Sequence, residues 1–370
     1  MRKKILLVTR PIAPPWDEAS KNFAYNLALN MPDFEFGLLT NGILENMPKN
    51  IVQYPIYTFN KLNNYQRARL LKLINIKNNF DIIHIMLTPS KLNSFCFQNF
   101  IINKRHKTIQ TVATLREDLL KDNDLKKILF ADVIVTYSKY AKDKLNNLGL
   151  KNVEQIYPGI DLELYKPTGK DGEFIKNLNL SENDFIVTYP GEYSRLGATD
   201  DIVNMIMRYS SILDENKIKI VFACRVKNKA DKIKKDEIIA KLKEKNLEKI
   251  ARFPETFTTL EKMLNASDLV IFPVRDMKGK FDVPLAVIEA MACGKPVIIS
   301  DLPILKEFAN DENSVIIKSG DIEELKNAIF DLYQNKEKRE MIGKNAREFT
   351  EENFDIKNIA KKYADIYKNL

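Results

Sequence analysis

Glycine is scarce in this chain of 370 residues, which contains only 12. The first glycine is Gly37, so none lies between the first predicted strand, residues 5–9, and the helix that follows it. Dinucleotide-binding enzymes need a G-x-G-x-x-G turn at this place, because it lets the backbone approach the pyrophosphate of the cofactor. The missing glycines exclude an NAD- or FAD-dependent oxidoreductase of that kind.

Cysteine and long apolar runs are also rare. The three cysteines, Cys96, Cys224 and Cys293, lie in apolar stretches at spacings typical of neither disulfides nor metal sites, which indicates buried thiols in a reducing cytoplasm. No apolar run approaches the length of a membrane span, and the apolar core of the opening MRKKILLVTRP is too short for a secretory signal. We therefore expect a cytoplasmic protein.

The charge excess is moderate. The chain has 58 basic and 50 acidic residues, a formal net charge of +8, and 45% hydrophobic residues. Such a balance is compatible with phosphate-bearing ligands or with the anionic inner face of the cell membrane, and does not by itself argue for nucleic acid. The length is enough for two well-packed domains.

Short β-rich runs alternate with helical patterns along the whole chain, which predicts an α/β fold of two doubly wound, Rossmann-like domains. The first set of predicted strands is 5–9, 34–39, 82–86, 108–113, 133–137 and 153–157. The second set is 185–189, 218–223, 250–253, 269–273, 297–299 and 314–317. The Pro- and Gly-containing residues 158–170 interrupt the alternation and indicate a linker. The predicted domains are residues 1–165 and 166–351.

The stretch 281–300, FDVPLAVIEAMACGKPVIIS, contains the most informative residue. A helix is predicted to start at Pro284 and to end at Gly294, whose freedom to adopt a left-handed conformation suits a helix C-terminus. Glu289 is the one charged residue in this apolar helix, and a buried carboxylate needs a partner. Two partners are open: a neighbouring Lys or Arg, or the two hydroxyls of a nucleotide ribose. The basic loop 278–280 and the helix N-terminus together suit the phosphates.

The run PLAVIEAMACGKPVI, with DLPILKEF and SGDIEELKNAI after it, resembles the donor-binding segment of retaining glycosyltransferases of the GT-B fold, the family-4-like group 1 transferases. The resemblance implies two Rossmann-like domains that face each other across a cleft, with a C-terminal helix at about residues 352–370 packing back on the first. It also implies a UDP- or GDP-linked sugar as co-substrate and no other cofactor. The donor-binding positions implied are Glu289, Gly191, Arg225, Thr256, Lys280, Val283, Pro284 and Leu285.

Several positions depart from the family pattern. The first of two family glutamates falls on Phe281, and the adjacent Asp282 either replaces it or caps the helix. The arginine that usually follows the loop glycine is Glu192 here, so Arg195 is the expected phosphate-neutralising cation. The family histidine after the strand 108–113 is absent. Arg116 either meets the substrates or forms a salt bridge with Glu117 or Asp118.

Other candidate residues have both a functional and a structural interpretation. Trp16, with Glu18 in the same proline-rich loop, either stacks on the acceptor sugar or packs the loop. Asp122 and Asp124 have a metal-type spacing but are interpreted as a helix cap, so no metal is predicted. The basic helix 65–77 either docks on an anionic membrane or is an ordinary core helix.

The two histidines are assigned structural positions. His84 lies in a predicted strand buried on both faces, so we expect a core histidine whose ring is hydrogen-bonded. His106, in NKRHK, is expected to face solvent.

The resemblance therefore predicts a metal-independent, hexosyltransferase-type retaining glycosyltransferase, active in surface glycan, glycolipid or lipid-linked oligosaccharide synthesis. Asp282, Arg195 and Arg116 are its candidate catalytic residues. The first alternative is a degenerate, non-catalytic relative that binds a nucleotide sugar or acts as a scaffold, which the lost motif residues favour. The second is a sugar-nucleotide epimerase of similar fold.

Overall fold

The computed structural model describes residues 2–14, 16, 18–58, 62–77, 79–101, 106–255 and 259–370. The chain divides into two compact units. The first unit consists of Met1–Asp161, Lys278–Val283 and Phe354–Leu370, and the second of Leu162–Met277 and Pro284–Asn353. The sequence-based division assigns residues 278–283 to the second domain, whereas in the structure this short segment packs with the first unit.

The first unit is built on a parallel sheet of seven described strands in the order β3-β2-β1-β4-β5-β6-β7. The strands are β1 Lys4–Ile12, β2 Glu35–Thr40, β3 Ile51–Tyr54, β4 Ile82–Ile85, β5 Lys107–Val112, β6 Val133–Thr136 and β7 Val153–Gln155. The helices are α1 Ala19–Leu29, α2 Asn64–Lys77, α3 Lys91–Phe100, α4 Asp122–Ile128, α5 Lys139–Asn147 and, from the C-terminus, α14 Ile356–Asn369.

The second unit has a parallel sheet of six described strands in the order β10-β9-β8-β11-β12-β13. The strands are β8 Phe185–Tyr189, β9 Ile218–Phe222, β10 Ala251–Arg252, β11 Leu269–Phe272, β12 Val297–Ser300 and β13 Val315–Ile317. The helices are α6 Gly172–Asn177, α7 Ala198–Arg208, α8 Ser210–Glu215, α9 Lys229–Glu244, α10 Leu260–Ala266, α11 Leu285–Ala292, α12 Ile322–Gln334 and α13 Lys336–Phe354, with a 3-10 turn at Leu305–Glu307. The strand order reverses between β8 and β11, so this sheet is doubly wound.

All twelve predicted strands are present within three residues of their predicted ends, and the sequence missed β3. β3 is a short edge strand in which only Ile51 is buried. Because an edge strand covers little of the core, its sequence IVQY lacks the continuous apolar run that identifies the central strands.

The imidazole of His84 joins the sheet of the first unit to α14. Its Nδ1 lies 2.7 Å from the hydroxyl of Tyr367, and its Nε2 lies 2.7 Å from the hydroxyl of Thr111. Burial lowers the pKa of His84 to about 3, because the charged ring would be removed from water. The prediction of a hydrogen-bonded core histidine is therefore confirmed.

His106 is not where the sequence suggested. The prediction of a solvent-facing ring is wrong, since His106 is buried and its Nδ1 lies 2.6 Å from the carbonyl oxygen of Phe80. The basic residues around it in NKRHK favoured a solvent-facing position. The carbonyl that bonds the ring belongs to Phe80, 26 residues earlier, and the local sequence does not indicate that contact.

Within the described part of the chain, no helix is both long and apolar enough to cross a membrane.

We expect Tyr367→Phe to destabilise the first unit by about 1–2 kcal/mol, because it removes a buried hydrogen bond and leaves His84 Nδ1 without it. Tyr140→Phe is the matched control, since the hydroxyl of Tyr140 donates to Glu117 at the surface and its loss should cost less than about 0.5 kcal/mol. Urea unfolding measured by circular dichroism provides both values. Equal losses in the two variants would contradict a structural role for the His84 contact.

Candidate functional site

The carboxyl edge of the second sheet brings together the loops that the sequence singled out. The loop 190–197 follows β8, and the loop after β11 begins at residue 273. These two strands are neighbours at the point where the strand order reverses. Ligands of open α/β sheets bind outside the carboxyl ends of the strands at this point. The edge is therefore the candidate site of the second unit.

Helix α11 follows the loop that leaves this edge after β11, and it carries Glu289 as its fifth residue. The helix begins one residue later than predicted, with Pro284 as its N-cap residue, and its apolar side chains Leu285, Val287 and Ile288 are buried. It ends at Ala292, two residues before the predicted end; Gly294, just after the C-cap residue, has the predicted left-handed conformation with φ +68° and donates its N–H to the carbonyl of Met291 at 2.9 Å. Glu289 itself is half-buried.

The partner of the Glu289 carboxylate is a phenol. The Tyr165 hydroxyl hydrogen-bonds to it, and no Lys or Arg pairs with Glu289 among the described residues. The pKa of Glu289 is raised to about 7, chiefly because burial removes the carboxylate from water; the hydrogen bond from Tyr165 opposes this rise, and the nearby charge of Glu261 adds a smaller contribution to it. The buried ion pair that the sequence left open is therefore not what holds this carboxylate.

Tyr165 is held in place by Arg347 of α13. One guanidinium nitrogen, Nη1, lies 2.7 Å from the carbonyl oxygen of Tyr165 and 2.7 Å from that of Ala292, the last residue of α11. This fixes the backbone of Tyr165 to the same helix that carries Glu289. Sequence reasoning missed both Tyr165 and Arg347, because they lie far along the chain from Glu289 and belong to no motif.

Glu192, the acid at the family's arginine position, is paired with two basic side chains near the loop 190–197. It is 3% exposed. Arg195 holds it through Nε–Oε2 and Nη2–Oε1 contacts of 2.8 and 3.2 Å, and Lys227 Nζ lies 2.6 Å from Oε1. The sequence analysis assigned the charge of Arg195 to a donor diphosphate, but in the structure Arg195 is paired with Glu192. Arg225, the other expected cation, is half-buried in the loop that begins after β9.

Arg275, in the loop after β11, was not identified from the sequence. Its guanidinium contacts Asp201 through Nε–Oδ2 and Nη2–Oδ1 distances of 2.9 and 2.5 Å, and its backbone N–H donates to the carbonyl of Leu196 at 2.7 Å. Gly197 makes this approach feasible, because it has φ +74° and a Cβ there would lie 2.7 Å from Arg275 Cδ. The loops after β8 and β11 are therefore bound together.

Position 191 has no room for a side chain, because the Tyr189 ring fills the space beside it. A Cβ on Gly191 would lie 1.9 Å from Tyr189 Cζ, and this tyrosine is fully buried. The ring supports the loop from below, because the Tyr189 hydroxyl lies 3.3 Å from both the N–H and the carbonyl oxygen of Glu192.

Asp282 belongs to the segment that packs with the first unit. Its carboxylate accepts a hydrogen bond from the Ser138 hydroxyl, and its N–H donates to the Ala113 carbonyl at 2.9 Å. Phe281 packs its ring edge against Tyr137, with centroids 6.1 Å apart. Asp282 is not the N-cap residue of α11, since Pro284 occupies that position.

Arg116 and the acceptor candidates all lie in the first unit. Arg116 binds Asp118 with both Nε and Nη2, at 2.8 and 2.9 Å, which is the salt bridge that the sequence left open. Trp16 is 42% exposed and stacks on Tyr25 at a centroid distance of 4.7 Å. Glu18 pairs with Arg10.

The remaining donor candidates are dispersed. Pro284 and the buried Leu285 lie at the start of α11 in the second unit. Val283 is buried and Lys280 half-buried in the segment that packs with the first unit. Thr256 lies outside the described residues.

Residues 171–349 match the model of the family described as Glycosyl transferases group 1. An uncharacterized glycosyltransferase of Methanocaldococcus jannaschii is 27% identical over 256 residues, which are 67% of this chain and 62% of that relative. The chain thus matches less than two thirds of that relative's length.

Two solved structures have the same fold. The crystal structure of HepE from Anabaena, in complex with UDP and glucose, is 16% identical, with a TM-score of 0.79 and all of both chains covered. Sucrose-phosphate synthase from Thermosynechococcus elongatus is 18% identical, with a TM-score of 0.78, covering 100% of this chain and 99% of that one. These likenesses show that the chain has the GT-B fold.

We expect Gly191→Ala to destabilise the second unit by about 1–3 kcal/mol, because the new methyl group overlaps the buried Tyr189 ring. Gly169→Ala is the control, since a Cβ at Gly169 meets nothing within 4 Å and should change stability by less than about 0.5 kcal/mol. Thermal unfolding of both variants measures the difference. An unchanged midpoint for Gly191→Ala would show that the loop does not rest on Tyr189.

Proposed function

We propose that this chain, whose residues 171–349 match the model of the family Glycosyl transferases group 1, is a retaining glycosyltransferase that moves a sugar from a nucleotide-diphosphate sugar to an acceptor hydroxyl. The observation that carries the proposal is Glu289. This carboxylate has no cationic partner among the described residues, and it lies on α11, the helix that begins in the connection leaving the carboxyl edge of the sheet after β11, where a ligand is expected.

Glu289 accepts the two ribose hydroxyls of the donor in this proposal. Its carboxylate has two oxygens with about four acceptor sites, of which Tyr165 takes one. Because Tyr165 also opposes the rise in the pKa of Glu289, it keeps part of the acid ionised at neutral pH. UDP is the first nucleotide to test, since HepE was crystallised with it.

The chemistry needs no metal and no strong protein base. The bond between the sugar and the phosphate breaks, the acceptor oxygen bonds to the same face of the sugar, and the leaving phosphate takes the acceptor proton. Asp282 stabilises the positive charge that develops on the sugar. We place the reaction in the cytoplasm, in glycan, glycolipid or lipid-linked oligosaccharide synthesis, with a hexose as the transferred sugar.

A non-catalytic nucleotide-sugar-binding protein is the second candidate, and the pairing of Glu192 favours it. Arg195 and Lys227 both neutralise this buried acid, so the three charges together leave only one positive charge for a diphosphate. A sugar donor that binds but does not turn over with any acceptor would support this candidate.

We expect Glu289→Gln to weaken UDP binding by about ten- to a hundredfold, because an amide oxygen cannot replace two charge-assisted hydrogen bonds. Calorimetry between pH 5.5 and 8.5, a range of about three units around the pKa, measures it. The natural protein should lose affinity as the pH falls through about 7, since the ionised acid binds the diol, and the Gln variant should lack this dependence.

Glu261→Gln is the matched control for that experiment. It removes a neighbouring negative charge, so the pKa of Glu289 should fall and the loss of affinity should begin at lower pH, while affinity at high pH stays within about twofold. If Glu289→Gln binds UDP, GDP and their sugar conjugates as the natural protein does, Glu289 is not a ribose ligand.

We expect Asp282→Asn to lower kcat by about a hundredfold or more with little change in donor affinity, because it removes a charge that acts in the transition state. Ser138→Ala is the comparison. It removes the hydrogen bond that orients Asp282 and also the N-cap of α5, so it should lower stability by about 1 kcal/mol but lower kcat by less than about tenfold. Donor consumption with and without acceptor measures both. Equal losses would show that Asp282 only anchors its segment to the first unit.

A further inference from the structure

The loop after β5 and the start of α5 lie side by side at the carboxyl edge of the first sheet. Strands β5 and β6 are neighbours in this sheet. The loop 113–121 follows β5, and α5 follows β6 with Ser138 as its N-cap residue. Ligands of parallel α/β sheets bind at the carboxyl ends of the strands. Asp282, the charge that stabilises the transferred sugar in the proposed function, is bound to Ser138 at this edge.

Tyr140 exposes its ring at the same edge. The residue is 48% exposed, and its hydroxyl donates to Glu117 Oε2 at 2.9 Å. Partial burial, followed by the hydrogen bond to Glu117, raises the pKa of the Tyr140 hydroxyl, and the negative charge of Asp282 adds a smaller rise. Because electrostatic interactions weaken with distance, Asp282 lies near this hydroxyl. An exposed aromatic ring and two carboxylates are therefore adjacent.

Lys144 of α5 fixes the carboxylate of Glu117. Its Nζ is bound to Glu117 and lies 3.2 Å from Asp122 Oδ1. Glu117 is thus held between a phenol and an ammonium group, while its side chain remains 38% exposed. A carboxylate has about four acceptor sites, so after these contacts Glu117 can still accept hydrogen bonds from a ligand.

Carboxylates outnumber bases in this network of contacts. Arg116 is bound by Asp118, and Lys144 is bound by two carboxylates. With Asp282, the contacts involve four acids and two bases, a formal charge of −2. A phosphate or carboxylate group on a ligand would be repelled here, whereas the hydroxyls of a sugar would find hydrogen-bond acceptors.

We propose that Tyr140 and Glu117 bind the acceptor, and that the acceptor is a sugar without an acidic group. The apolar face of the sugar ring packs on the exposed phenol ring, and the sugar hydroxyls donate to the Glu117 carboxylate. The hydroxyl that receives the donor sugar then lies beside Asp282. This inference rests on the proposed transferase function and narrows its acceptor to a neutral saccharide.

Trp16, the aromatic acceptor candidate from the sequence, is less suited to this role. One face of its ring packs on Tyr25, at a centroid distance of 4.7 Å. Tyr140, in contrast, lies near Asp282, where the transfer takes place in the proposed function. The geometry therefore favours Tyr140 as the ring that contacts the acceptor.

Ligand-observed NMR titration of the full chain tests this site with glucose, galactose, mannose and N-acetylglucosamine, each compared with its own 6-phosphate. At least one neutral sugar should bind about tenfold or more tightly than its 6-phosphate, because the phosphate adds negative charge beside Glu117. Tyr140→Ala should weaken binding of that sugar by about tenfold or more, whereas Tyr140→Phe keeps the ring and should change it by less than about threefold. Glu117→Gln should reduce the preference for the neutral sugar to less than about threefold.

Tyr65→Ala is the matched control. Tyr65 is 64% exposed on α2 in the same unit, so its replacement should leave sugar binding within about twofold. Unfolding midpoints check that all variants are folded. UDP affinity should be the same in all of them. Loss of sugar binding with intact UDP binding counts against this site alone, whereas a natural protein that binds no nucleotide counts against the proposed function.

Three results would overturn the proposal. None of the neutral sugars binds the natural protein, or each 6-phosphate binds at least as tightly as its parent sugar. Alternatively, Trp16→Ala abolishes sugar binding while Tyr140→Ala leaves it unchanged, which places the acceptor at the loop before α1.

Discussion

The arrangement of the candidate site follows from the free-energy cost of burying a carboxylate in an apolar helix. Glu289 lies in a helix whose other side chains are apolar, and dehydration raises its pKa to about 7. A lysine or arginine beside it would remove that cost but would also occupy its oxygens. A phenol, Tyr165, stabilises the ionised form with one hydrogen bond and leaves acceptor capacity for a ligand. Arg347 keeps this partner in place through backbone carbonyls, without bringing its charge to the carboxylate.

The loops at the sheet edge are held by charge pairs within the second unit. Glu192 is paired with Arg195 and Lys227, and Asp201 is paired with Arg275. Both acids are almost fully buried, so each pair keeps its loop in one conformation instead of offering mobile cations to a ligand. In a diphosphate site, arginine and lysine side chains are expected to contact the phosphates directly. Here Arg195, Lys227 and Arg275 contact carboxylates of the protein.

The strands of both sheets could be predicted because each buried strand carries its own signal, a short apolar run between polar segments. The edge strand β3 lacks that signal, and His106 lacks any sequence indication of the carbonyl that buries it. The site was predicted in part. Glu289 and the loop at Gly191 follow from local pattern, whereas Tyr165, Arg347 and Arg275 act through contacts between distant parts of the chain.

The sequence by itself determined the class of fold, the helix that carries Glu289 and the absence of a dinucleotide turn, because these depend on local composition and periodicity. Only the tertiary structure decided the partner of each charged group. Arg195 and Glu192 are close in sequence, yet whether Arg195 neutralises Glu192 or a ligand depends on side-chain direction and burial. Likewise, the hydrogen bond from Tyr140 to Glu117 joins residues that are 23 positions apart in the chain. Such pairings depend on three-dimensional distance and desolvation, which a residue pattern along the chain does not contain.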